Sequence, residues 1–321
     1  MGWLDMNKQE HNLVKDESFD GVDIRSGRIN LNGRKLKIGS GGINIYSNTT
    51  IGSIVGVGSV TSGTNQLVFN FRNSTALERS YLIDSEIKND DGYKVGLRIS
   101  GGVPGRYNHL DFTGRVPNSF TGDVYISGYA GVGLARDNTS TVIGNIFLSE
   151  NGYLNISGSH QINDNSSIIL NGSSGMPLLA FSSYSHYTRD TVEKIHSLII
   201  EGNGVIDFYA YPWEEHGTRH FYLDDIDVTF GAELLIRSWA LGRDHILVRK
   251  DSAHLQESLS RIKFGGRSEP KASVRDYNND YWQIIPGFPE PTAYGAILSA
   301  AILGLAFYRT KKAQRYFGCA C

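Results

Sequence analysis

The sequence predicts an all-β chain, a right-handed parallel β-helix (β-solenoid) with a C-terminal single transmembrane α-helix. Three observations predict it. An apolar pattern recurs five times between residues 124 and 236, a glycine punctuates each copy, and one uncharged apolar stretch at 293–308 runs straight into a basic cluster. Composition agrees. Among 321 residues, 37 are glycine and 8 are proline, and Ser, Thr, Asn and Gly crowd the first two thirds. That mix favours short strands joined by tight turns.

Residues 1–23 read as a polar N-terminal segment. They hold no basic stretch followed by an apolar one, the form of a secretory leader. Either the chain is a fragment or a miscalled start, or export is not its fate; a fragment is expected, because the other end of the chain speaks for export.

Residues 24–241 read as solenoid repeats. Over 28–47, apolar pairs alternate as Ile29 and Leu31, Leu36 and Ile38, Ile43 and Ile45. Further rungs are expected at 95–100 and 109–112. The regular part follows, with copies 22 residues apart at first and then more widely spaced. With the first apolar position called i, positions i, i+2, i+8 and i+10 are apolar in all five copies. They are Val124, Ile126, Val132 and Leu134; Ile146, Leu148, Leu154 and Ile156; Ile168, Leu170, Met176 and Leu178; Leu198, Ile200, Ile206 and Phe208; Ile226, Val228, Leu234 and Ile236. An i, i+2 pair puts two side chains on one face of a strand. Gly131, Gly152, Gly175, Gly204 and Gly231 fall between the pairs, where a Cβ would obstruct a corner. Each copy is therefore strand, corner, strand, and buries its apolar face only by stacking on its neighbours. An antiparallel β-sandwich is the competing architecture, and it would show hairpin turns at shorter intervals.

Residues 242–285 read as a C-terminal cap. Leu255 and Leu259 have helical spacing, and 261–264 and 281–285 look like closing strands. An open solenoid end needs such a cover.

Residues 286–315 read as a sorting and anchor segment, followed by a short tail, 316–321. The stretch 293–308 carries no charge, and as a helix its 16 residues span about 24 Å, slightly short of a hydrocarbon core of about 30 Å. Tyr294, Phe307 and Tyr308 suit the membrane interfaces. Arg309, Lys311, Lys312 and Arg315 then form a cytoplasmic basic stop, which puts everything before them outside. Ahead of the stretch, Pro289 and Pro291 hold Pro289-Glu290-Pro291 extended. This order of extended motif, apolar helix and basic cluster resembles the PEP-CTERM sorting signal of Gram-negative bacteria. The resemblance implies export, transient anchoring in the inner membrane through 293–308, and processing by an exosortase-type membrane sorting enzyme. The glycine-punctuated repeats, the segment starting Leu241-Gly-Arg-Asp-His and the segment starting Arg275-Asp-Tyr-Asn resemble autotransporter-associated β-strand repeat proteins. That resemblance implies an extracellular β-helical stalk and no conserved reaction.

Charge excludes one class. Net charge is −2, but the four basic residues after Glu290 offset an acidic body; without them 27 basic residues face 33 acidic, a charge of −6 over 1–290. An acidic body argues against a nucleic-acid partner. Both cysteines, Cys319 and Cys321, lie at the very end, so the body has no disulfide framework. No cofactor motif and no metal set is found. His216 and His220 have the i, i+4 spacing of helical zinc ligands, but Pro212 and Gly217 argue for a loop. That loop, with Trp213, Glu214, Glu215 and His216, is the candidate ligand loop, and a surface polysaccharide is its candidate ligand.

The expected function is that of a non-enzymatic, exported, adhesin-like surface protein. The alternative is a polysaccharide-degrading enzyme or a carbohydrate-binding module on the same scaffold. Asp224, Asp225 and Asp227 carry the enzyme alternative, because hydrolysis by inversion needs two facing carboxylates. Arg261-Ile262-Lys263 matches one motif of pectin-cleaving β-helices, but their Gly-His-Gly is missing. Asn48, Asn73, Asn138, Asn155, Asn165 and Asn171 head Asn-x-Ser/Thr triplets and read as turn residues.

Overall fold

Strands that cannot bury an apolar face alone stack coil upon coil. The computed structural model describes residues 2–7, 9–46, 52–72, 79–105, 108–136, 139–182, 190–209, 217–265 and 271–287. Among these residues, strands pair in parallel from Trp3–Met6 through Asp244–Arg249, in one sheet of 15 strands and one of 11. The chain is thus an all-β parallel β-solenoid, and an antiparallel sandwich is excluded.

The larger sheet bends into two faces. Strand Arg34–Tyr46 pairs with Gly58–Ser62 through its first half and with Gln66–Arg72 through its second. Strands Thr191–Ile200 and Arg219–Val228 bend at His196 and Asp224, which the pairing skips. There the inward positions jump from Ile195 to Leu198 and from Leu223 to Ile226. Each full coil therefore has a first face, a second face and, in the 11-stranded sheet, a third.

The repeat holds as predicted at its first pair. Val124, Ile146, Ile168, Leu198 and Ile226 are successive register partners on the second face. Eighteen of the twenty predicted inward side chains are buried. The third copy departs. Met176 is 42% exposed, and Leu179 and Phe181 take the inward places, opposite Leu154 and Ile156. The corner after Leu170 is three residues longer than the corner after Leu148, so an offset counted from Ile168 arrives too early. Two corner glycines differ in their reason. A Cβ on Gly152 would lie 2.5 Å from the carbonyl oxygen of Ile126 in the neighbouring coil, whereas Gly231 has open space but a φ of +85°.

Stacking extends beyond the predicted 24–241. Trp3–Met6 pairs in parallel with residues 21–24, inside the stretch read as a polar segment, and Ile262–Phe264 pairs in parallel with 234–236, inside the stretch read as a cap. The end cover consists of helix Leu255–Ser258 and an antiparallel hairpin, Ala272–Asp276 with Tyr281–Pro286, laid on Asp244–Arg249. Ser258 Oγ donates to Ile226 O at 3.1 Å and accepts from Val228 N at 2.8 Å, so the helix takes the place of the next strand on the second face. Among the described residues, no helix is long and apolar enough to cross a membrane, and 293–308 lies outside them.

The interior carries a polar seam at the corner between the third and first faces. Arg136, Gln161 and Glu193 are fully buried there. Arg136 donates to Ser85 O at 2.8 Å, and Gln161 Nε2 donates to Arg136 O at 2.6 Å. Glu193 accepts from Gln161 N at 2.7 Å and Ile162 N at 2.9 Å. These N–H groups hold down the Glu193 pKa, but burial outweighs them and pushes the carboxyl up to about 8. A glutamate raised above its unfolded value of 4.5 stabilises fully below that value and loses the contribution as pH rises through about 8.

Two outcomes follow from this packing. Leu179→Ala lowers stability by about 2–5 kcal/mol, while Met176→Ala changes it by about 0.5 kcal/mol or less, read from urea unfolding midpoints. Equal costs would refute the register of the third copy. Between pH 5 and pH 8, wild-type stability declines relative to Glu193→Gln, which cannot ionise; parallel pH curves would show that Glu193 is not held protonated.

Candidate functional site

The sequence-derived candidates in the described region converge on the C-terminal coils. Strand Arg219–Val228 bends at Asp224, so Asp224, Asp225 and Asp227 share one outer edge of the solenoid. Asp224 Oδ2 lies 3.6 Å from His196 Nδ1 on the preceding coil. Asp225 faces the cover instead. Its Oδ1 accepts from Ser252 Oγ, from Ile226 N at 3.0 Å and from His254 N at 3.3 Å, and its Oδ2 lies 2.6 Å from His254 Nδ1. Burial alone would raise this carboxyl, but the bonds from Ser252 and His254 prevail and hold it below the usual range. The same bond raises the His254 pKa.

This geometry suits a staple rather than a hydrolytic pair. A general acid needs a raised pKa and a free proton. Asp225 is depressed and committed to the chain segment that enters helix Leu255–Ser258. Arg261 is committed too, with Nη1 donating to Val228 O at 2.5 Å, and Lys263 pairs with Glu233. The Arg261-Ile262-Lys263 match thus lies at the start of the last parallel strand, tied to the coil beneath it.

His220 sits in strand Arg219–Val228, and its ring stacks on His245 of the next coil at 4.6 Å and 6°. Gln283 Nε2 lies 2.9 Å from His245 Nδ1, and Tyr277 tilts over both rings. Burial, then the neighbouring His245, lower the His220 pKa. Among the described residues, no group of three or more His, Cys, Asp or Glu is placed to hold a metal. Trp213, Glu214, Glu215 and His216 lie outside the described residues, as do Pro289, Glu290, Pro291, Arg309, Lys311, Lys312 and Arg315. So do Asn48, Asn73 and Asn138. Asn155 is no turn residue: it is buried in strand Tyr153–Ile156, where Ser182 Oγ donates to it at 2.8 Å.

One surface escaped the sequence reading. Position i+1 of each copy points outward between two inward residues. In register, these positions place Arg98, Tyr125, Phe147, Ile169, Ile199 and Asp227 in one column on the second face. The Tyr125 and Phe147 rings stack at 4.8 Å and 9°. The signal was present as apolar residues at i+1 in four successive copies, but attention to the inward pairs passed over it.

The staple has a pH signature. The depressed Asp225 stabilises above its ordinary 3.8 and loses this as pH falls further; the raised His254 stabilises below its ordinary 6.5 and loses this as pH rises. The contact is therefore strongest between those values. Asp225→Asn lowers thermal stability by the equivalent of about 1 kcal/mol near pH 5 and by less at pH 8. A deficit that grows with pH would overturn the assignment. No family model, curated protein or solved structure matches this chain.

Proposed function

We propose that the chain is an exported cell-surface β-solenoid with a structural, adhesin-like role, sorted and processed through a C-terminal signal of the PEP-CTERM kind. One observation carries the reading. The hairpin that covers the end of the parallel stack finishes with strand Tyr281–Pro286, at the residue where the segment 286–315 begins. In the sequence, this closed body is followed by Pro289-Glu290-Pro291, the apolar stretch and the basic stop.

In this proposal the solenoid winds right-handed, the hand of nearly all parallel crossovers. Residues 293–308 cross the inner membrane as a helix, an exosortase-type enzyme processes the tail, and the body is delivered outside. Trp213, Glu214, Glu215 and His216 are the proposed ligand loop. In the sequence they fall between strands Asn203–Asp207 and Arg219–Val228, and insertions between solenoid strands leave the stack intact.

Replacing Pro289, Glu290 and Pro291 with alanine leaves the full-length chain in the inner-membrane fraction, followed by mass and by surface labelling. Unchanged processing and display would refute the sorting proposal.

A further inference from the structure

The outward column on the second face has an order that a solvated surface does not need. After Val68 on the preceding coil comes Arg98, then Tyr125, Phe147, Ile169 and Ile199, then Asp227, so that two opposite charges flank four apolar residues. Five coil steps separate the two charges, about 24 Å at the spacing of paired strands. Tyr125 is 41% exposed and Arg98 is exposed, Phe147, Ile199 and Asp227 are half-buried, and Ile169 between them is 7% exposed, shielded by its neighbours. The rows beside the apolar stripe are small and polar. Ser127, Ser149 and Asn171 lie along one side and Asn145, Ser167 and Ser197 along the other. In the second row Ser167 N donates to Asn145 Oδ1 at 2.9 Å and Ser167 Oγ pairs with Ser197 Oγ at 2.7 Å, and in the first Asn171 Nδ2 donates to Glu201 at 3.1 Å. Four consecutive outward apolar residues inside polar rows form the centre-and-rim layout of a contact surface.

We propose that this stripe is the contact for a second copy of the chain, laid against it antiparallel across a two-fold axis. The charges select that occupant and that orientation. A two-fold axis between Phe147 and Ile169 exchanges the ends, so Arg98 of each copy meets Asp227 of its partner. The same operation sets Tyr125 against Ile199 and Phe147 against Ile169, aromatic against aliphatic along the whole stripe. A parallel arrangement brings Arg98 to Arg98 and Asp227 to Asp227, which like-charge repulsion opposes. Tyr125 and Phe147 each cover one face of the other, which favours an apolar partner surface over a sugar laid between the rings. One consequence rests on the surface-display proposal above: antiparallel pairing joins solenoids that reach out from two facing surfaces.

The test uses the full chain in detergent with Cys319→Ser and Cys321→Ser, which removes both native thiols. Arg98→Cys and Asp227→Cys chains are purified separately, mixed in equal amounts and treated with a bis-maleimide linker about 10 Å long, the spacing of packed sheets. The mixture forms roughly tenfold more covalent dimer than either chain alone, a difference equivalent to about 1.4 kcal/mol. Equal yields from one variant alone, or no dimer in the mixture, would overturn the proposal. In sedimentation, Arg98→Asp and Asp227→Arg each weaken self-association, and the two together restore it. Tyr125→Ser weakens it with the fold intact by circular dichroism. Unchanged association in Tyr125→Ser would count against the stripe. A monomeric chain that loses glycan binding in that variant would assign the stripe to a glycan and refute the dimer. Tail processing is read separately, so a failed dimer leaves the sorting proposal standing and a failed sorting test leaves the dimer standing.

Discussion

In-register parallel stacking is the constraint on which the rest of the structure depends. Each strand finds its hydrogen-bond partners in the coils above and below it, and each inward side chain finds its packing there too. The column Val124, Ile146, Ile168, Leu198, Ile226 shows both at once, because the residues that pair through the backbone also stack in the core. Burying a side chain of that size contributes about 1.5–3 kcal/mol. A coil that slipped by one residue would turn its whole inward set out to solvent.

This constraint leaves the corners free in length but not in chemistry. Coil spacing stretches from 22 to 30 residues between Ile168 and Leu198 without disturbing the column. The backbone groups that corners bring inside must still be satisfied. Arg136 and Gln161 do this by donating to carbonyls of other coils, and Glu193 by accepting two N–H groups. The C-terminal end poses the same question on a larger scale. A helix, an antiparallel hairpin and the Asp225–His254 contact answer it together.

Because the inward positions and the backbone are committed to stacking, recognition is left to outward positions and corner insertions. An outward column has a property that a loop lacks: its residues come from distant parts of the sequence but sit one strand spacing apart on a rigid surface. The stripe from Arg98 to Asp227 uses this to place opposite charges at the two ends of an apolar strip. The proposed cell-surface role and the proposed two-fold contact both build on that rigidity.

The sequence by itself determined the parallel stack, because an i, i+2 pair recurring with a glycine corner has one economical way to bury its face. It also marked the inward residues wherever the corner length stayed constant. It misplaced Met176 and Leu178 because a corner three residues longer changes the phase, and only pairing with Leu154 and Ile156 shows that Leu179 and Phe181 point inward. Asp225 looked like half of a carboxylate pair because its partners Ser252 and His254 lie more than 25 residues away, across the end of the solenoid. The outward column was legible only in part. Its apolar residues stand at i+1 in the sequence, but their alignment with Arg98 and Asp227 is decided by register, a property of the stacked coils and not of any one of them.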